Sequence, residues 1–140
     1  MQPHTPAQSV PRTRRSPTYD QGLEIRSHVV GAEYVERSLA AADDFTRPVQ
    51  DLVTEFCWGA VWGRPDLDLR TRSIVNIAMI AVLNRQQELA LHVRGALRNG
   101  VTVEEVREIL LQVAVYAGFP AALDSFRVAR QAIAEHEADR

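Results

Sequence analysis

The sequence predicts an all-α chain, a compact bundle of about six or seven helices. Three observations carry the prediction. Apolar residues recur at i, i+3, i+4 spacing in successive segments from Tyr19 to about Glu135. Capping and breaking residues separate those segments, and no stretch alternates polar with apolar residues as a half-buried strand does. With 140 residues and 46% apolar composition, the chain is one domain able to bury a real core. A domain of this size buries only about two thirds of its unfolded surface, which leaves room for further burial by oligomerisation.

Residues 1–18 are rich in Pro, Arg, Ser, Thr and Gln and lack the apolar content to order themselves, so they are expected to form a flexible tail ahead of a domain spanning 19–140. Leu23, Ile25 and Val29–Val30 mark a first short helix that ends near Gly31, and Tyr34, Val35 and Leu39 mark a second over 32–42. Asp43 or Asp44, then Thr46, can cap a third, with Pro48 in its first turn. Its series Val49, Leu52, Val53, Phe56, Cys57, Ala60, Val61 reads as a core-facing stripe, closed by Gly63-Arg64-Pro65. Asp68 caps the next helix, whose run from Ile74 to Leu83 is apolar on nearly all sides and is expected to be buried among several neighbours. A helix over 86–99 ends at Asn99-Gly100. Thr102 and Glu105 form a capping box for the one that follows, and Gly118-Phe119-Pro120 separates it from the last.

Composition excludes several kinds of chemistry. All 16 basic residues are arginines, so Schiff-base catalysis and pyridoxal-phosphate attachment have no lysine to use. The single cysteine, Cys57, permits no dithiol cycle within one chain and fits a reducing compartment. A net charge of −2 makes no demand for nucleic acid or an anionic membrane. The N-terminus lacks the apolar core of a signal peptide, and the longest apolar runs fall short of the roughly 20 residues of a membrane helix. These readings place the protein in the cytoplasm. No cluster has zinc-site spacing, and no phosphate loop or nucleophile elbow occurs.

Of the four histidines, His4 lies in the tail, His136 near the fraying end, and His28 at the end of a short helix. His92 alone stands mid-helix, with Glu88 at i−4 and Arg85 at i−7 on the same face. A carboxylate one turn away can orient an imidazole and hold it charged, and the arginine extends the face toward an anion. The same spacing also fits a solvated surface. Glu55, Trp58 and Trp62 share a second face, either a carboxylate in an aromatic pocket wall or two core anchors beside a partly exposed acid. Arg72 stands at the mouth of the most apolar helix, where it can neutralise a carboxylate.

Read together, Tyr-Asp-Gln-Gly-Leu (19–23), Ala-Asp-Asp-Phe-Thr-Arg (42–47), Glu-Phe-Cys-Trp-Gly (55–59), Leu-Arg-Thr-Arg-Ser (69–73), Glu-Leu-Ala-Leu-His-Val-Arg-Gly-Ala (88–96), Asn-Gly-Val-Thr (99–102) and Gln-Val-Ala-Val-Tyr-Ala-Gly-Phe-Pro-Ala-Ala (112–122) resemble the carboxymuconolactone decarboxylase family, over about residues 19–135. The resemblance implies a helical fold shared with alkylhydroperoxidase-type proteins and assembly into trimers or hexamers. It implies cofactor-free conversion of 4-carboxymuconolactone to the β-ketoadipate enol-lactone in protocatechuate degradation. The peroxidase relatives carry Cys-x-x-Cys ahead of the histidine. Arg85 and Glu88 stand at those positions here, which favours the decarboxylase branch over a thiol peroxidase.

The implied substrate loses CO2 from a carbon conjugated to its lactone carbonyl, so the ring is its own electron sink. The protein must then hold carboxylates, stabilise the oxyanion and protonate carbon. The resemblance nominates Arg72 and Arg85 for the first task, with Trp58 and Trp62 as pocket walls. It nominates His92, oriented by Glu88, as oxyanion donor or proton donor, and Glu55 as the other candidate acid if burial raises its pKa. A same-fold lyase acting on another substrate and a non-catalytic, small-acid-binding oligomer are the rival readings.

Overall fold

A computed structural model describes residues 15–140 of the chain. Among the described residues the structure is all helical: α1 (Pro17–Val30), α2 (Ala32–Ala41), α3 (Arg47–Leu52) running straight into a π-helical segment (Val53–Val61), α4 (Leu69–Leu83), α5 (Gln86–Arg98), α6 (Val103–Ala117) and α7 (Phe119–Ala138). The all-α expectation therefore holds, with seven α-helices and no strand among the described residues.

The punctuation works as its chemistry dictates. The Asp68 carboxylate accepts the Thr71 N–H at 2.7 Å at the start of α4. Thr102 and Glu105 make the reciprocal capping box on α6, with contacts of 3.1 and 2.8 Å. Asp43 accepts from the Phe45 and Thr46 amides and the Thr46 hydroxyl, and these bonds hold its carboxyl below the usual range. α1 begins two residues earlier than the Tyr19 onset expected, because Ser16 caps it by accepting the Tyr19 N–H at 3.0 Å and Pro17 opens its first turn. The rest of the expected tail, 1–14, lies outside the described residues.

Two apolar clusters make the core. One gathers α4–α7 around Ile77, Leu89, Val93, Val106 and Leu110. The other joins α1, α2 and the π segment around Val29, Val35, Trp58 and Trp62. α5 borders both: Leu89 and Val93 enter the first, Leu91 packs against the second, and His92 lies between them in sequence. Gly95 lets α5 approach α1, since a Cβ there would sit 2.7 Å from the Val29 carbonyl oxygen.

The π segment departs from the expected α-helix, and side chains explain the departure. The Thr54 hydroxyl donates to the Gln50 carbonyl at 2.7 Å, taking the acceptor that an α-helix reserves for the Thr54 amide. Arg26, buried on α1, donates to Thr54 Oγ1 at 3.0 Å and to Gln50 Oε1 at 2.9 Å, fixing both residues. By the end of the segment the bonding is i to i−5, with Trp62 N–H on the Cys57 carbonyl at 3.0 Å. Gly22 and Gly59 let this widened helix lie backbone to backbone on α1. A Cβ on Gly22 would collide with the Thr54 carbonyl oxygen, and one on Gly59 with that of Thr18.

Two expectations about apolar faces are corrected. Val49, Leu52, Phe56 and Val61, read as a core stripe, are more than half exposed, while Thr54, Trp58, Gly59 and Trp62 face inward. α4 is not buried on all sides either. Ser73, Ile77 and Ala81 enter the core, but Val75, Met79, Val82 and Leu83 face outward. Apolar periodicity reports a side that avoids water. It does not say whether the same chain supplies the cover.

Candidate active site

His92 sits at the centre of the site. It is 8% exposed, and burial pushes its pKa down to about 4 despite an opposing pull from Glu88. The ring is therefore neutral at pH 7. It stacks on Trp58 with ring centroids 5.9 Å apart and planes 5° from parallel, and on Trp62 at 6.2 Å. The two indoles lie 4.6 Å apart, tilted by 33°. Trp58 and Trp62 are thus core anchors of the α1 side that also stack on His92, with Glu55 partly exposed beside them, the second of the two readings of this group.

Asn76, on α4, is the residue that sequence reasoning missed. Its Nδ2 faces His92 Nδ1 at 3.4 Å. With Nδ1 accepting, the ring proton sits on Nε2, which makes Nε2–H a fixed neutral donor. The available signal was the one polar residue inside the apolar run from Ile74 to Leu83. A polar side chain on a packed helix needs a partner, and here the partner is His92.

The expected Glu88–His92 pairing is corrected accordingly. Glu88 is exposed, makes no hydrogen bond to the ring, and does not keep it charged; desolvation outweighs its attraction. Arg85 precedes the first turn of α5 and is exposed. Among the described residues its guanidinium has no hydrogen-bond or carboxylate partner, and it stands seven residues ahead of His92 in the chain. Arg72 is occupied differently. It donates to the Leu67 carbonyl at 3.1 Å and the Arg64 carbonyl at 3.3 Å, clamping the loop after the π segment. Glu55 is half-buried and accepts from Ser16 Oγ at 2.7 Å at the start of α1, rather than meeting the ring. Of the nominated residues, then, Trp58, Trp62 and His92 are brought together, Glu88 in the first turn of α5 and Arg85 just before it are exposed, and Arg72 and Glu55 are engaged elsewhere.

Such a site offers a preorganised donor in an aromatic, largely dry setting, beside a helix face that carries a free cation. It suits stabilisation of an oxyanion formed from an acidic substrate. Comparison with known proteins points the same way. Residues 47–131 match the carboxymuconolactone decarboxylase family. The chain is 45% identical to a nitrosuccinic acid decarboxylase of Metarhizium robertsii over 82% of its length and 80% of the relative's. It is 42% identical to a 4-carboxymuconolactone decarboxylase of Acinetobacter baylyi over 81% of its length and 84% of the relative's. An uncharacterised 15.0 kDa protein of Paracoccus denitrificans is 31% identical over 59% of the chain and 63% of that protein. A matched segment that holds His92, Asn76 and both tryptophans, together with two named relatives aligned over most of their own length, places this chain in the carboxymuconolactone decarboxylase family.

Proposed function

We propose that this carboxy-lyase removes CO2 from 4-carboxymuconolactone to give the β-ketoadipate enol-lactone, with no cofactor, as a step of protocatechuate degradation. The observation that supports this reading best is the buried, neutral His92, stacked against two neighbouring indoles with Asn76 Nδ2 facing Nδ1, an arrangement that leaves Nε2 to carry the ring proton.

In the proposed step the carbon–carboxylate bond breaks and its electron pair enters the conjugated lactone. The carboxylate leaves as CO2, and the lactone oxygen takes the negative charge of a dienolate. His92 Nε2–H donates to that oxygen, a task for a neutral imidazole that needs no proton release. Arg85 holds the remaining carboxylate. Carbon then takes a proton, and Glu88, open to solvent one turn from His92, is the carboxyl that shares its face. Loss of activity in Glu88→Gln with activity retained in Glu55→Gln is the expected outcome; the reverse pattern would assign the proton to Glu55.

A second reading has a specific observation behind it. The relative at 45% identity is a nitrosuccinic acid decarboxylase. Nitrosuccinic acid is also a dicarboxylic acid, and it can lose CO2 beside an electron sink, since the nitro group accepts the pair as a nitronate. The same neutral donor serves that oxyanion. Measuring kcat/KM for both acids without added metal or cofactor separates the readings. The lactone is expected to be preferred; preference for nitrosuccinate would replace it, and turnover of neither by a folded protein would leave a lyase of the same fold with another substrate or a non-catalytic binding module. His92→Ala is expected to lower kcat by about 10²–10³-fold, the loss typical of one oxyanion donor.

The proposed enzyme is a cytoplasmic homo-oligomer, a trimer or hexamer. Its outward apolar faces on α3 and α4 are the support for assembly. No helix among the described residues is long and apolar enough to cross a membrane.

A further inference from the structure

A groove of about 630 Å³ runs between α6 and α7, away from His92 and unused by the proposed chemistry. Leu110, Phe126 and Ile133 form its apolar lining, and Arg107, Arg127 and Arg130 are its charged members. Every charged side chain lining it is therefore cationic. Arg107 pairs with Glu108 at 3.4 Å and Arg127 with Asp124 at 2.9 Å, both on the open surface, where such pairs contribute little. Arg130 has no carboxylate within 4.0 Å among the described residues.

The opposite pattern occurs elsewhere on the same chain. Phe45 is 91% exposed, and Val49, Leu52 and Phe56 are 59, 54 and 56% exposed, along one outward face of α3 and the start of the π segment. Asp44 and Asp51 accompany them, and Arg47, the cation between the two, turns its guanidinium back to the Leu39 and Ala42 carbonyls at 3.0 and 3.4 Å. Val49, Leu52 and Phe56 are spaced i, i+3, i+7, the anchor pattern of a helix that docks in a groove. Their seven-residue span equals that of each groove wall, 103–110 on α6 and 126–133 on α7, about 10 Å in every case.

We infer that α3 of one copy docks in the α6–α7 groove of the next, with Val49, Leu52 and Phe56 on the apolar floor and Asp44 and Asp51 facing the arginines. The inference rests on the homo-oligomer reading and specifies its interface. The two surfaces differ, so the contact is head-to-tail and leaves each copy with one free groove and one free helix until a ring closes. An acidic helix face in a basic groove also fixes orientation and disfavours groove-to-groove pairing, where arginines would meet.

Sedimentation equilibrium of the full chain tests this with two surface variants, each checked for helicity by circular dichroism. Val49→Asp with Leu52→Asp disables the helix face, and Arg127→Glu with Arg130→Glu disables the groove. Each alone is expected to weaken self-association at least ten-fold. An equimolar mixture retains one intact face and one intact groove, and is expected to form a one-to-one pair that neither variant forms alone. Wild-type assembly in both variants, or a mixture that associates no better than its parts, would overturn the contact and assign the groove to another occupant, such as a small amphipathic acid. A monomeric wild type would instead remove the oligomer reading on which the inference rests.

Discussion

At His92, two effects compete and their sizes decide the outcome. Glu88 favours the imidazolium, but burial disfavours it more, and the pKa falls to about 4. Asn76 then decides which nitrogen keeps the proton. Two predictions belong here. By NMR, the imidazole of His92 is expected to titrate with a midpoint near 4, and kcat is expected to show no step between pH 6 and 7. A midpoint near the ordinary 6.5 would mean that the ring is solvated in the working enzyme. Asn76→Asp is expected to place a carboxylate on Nδ1, draw the ring proton to that side and raise the pKa. Imidazole nitrogen shifts would report the tautomer change, and kcat is expected to fall by more than ten-fold while KM changes little, because the lost contact is made mainly in the transition state.

The element that matters most is the π segment, because it carries Trp58 and ends at Trp62. Arg26 holds Thr54 and Gln50 where the helix widens, and the glycine contacts set its distance from α1. Gly22→Ala therefore drives a methyl group into the Thr54 carbonyl, with no flexible side chain to give way. A stability loss of about 1–3 kcal/mol, the range for overpacking, is expected from urea denaturation, together with altered tryptophan fluorescence as Trp58 and Trp62 shift. An unchanged midpoint would show that α1 and the π segment can separate freely. Little of this element was legible in the sequence. The helix was, from its spacing and from Pro48 and Gly63, but a hydroxyl that takes a backbone acceptor leaves no periodic trace, and a buried arginine bound to neutral partners reads as an ordinary surface cation.

For the molecule as a whole, His92 links folding to pH. The unfolded imidazole binds a proton below about 6.5, whereas the folded one stays neutral to about 4. Between those values the unfolded state holds more protons, so stability is fully present above the window and declines as pH falls through it, by about 3 kcal/mol once both states are protonated. His92→Gln is expected to flatten that part of a plot of unfolding free energy against pH between 4 and 6.5; a slope unchanged by the substitution would place its origin in other groups.

The helices, their caps and the family were legible in the chain alone. Apolar spacing, Asp68, the Thr102–Glu105 box and the glycine breaks act over three or four residues, and such signals survive in one dimension. It also pointed to His92 and the two tryptophans as the residues of interest. The tertiary structure alone decided which polar group meets the imidazole, that the ring is neutral, that Arg72 and Glu55 are engaged elsewhere, and which apolar faces the chain leaves uncovered. Those outcomes depend on desolvation and on contacts between residues far apart in the chain, such as Asn76 on α4 with His92 on α5 and Arg26 on α1 with Thr54. A helical face read alone shows what avoids water, and only packing shows what meets it.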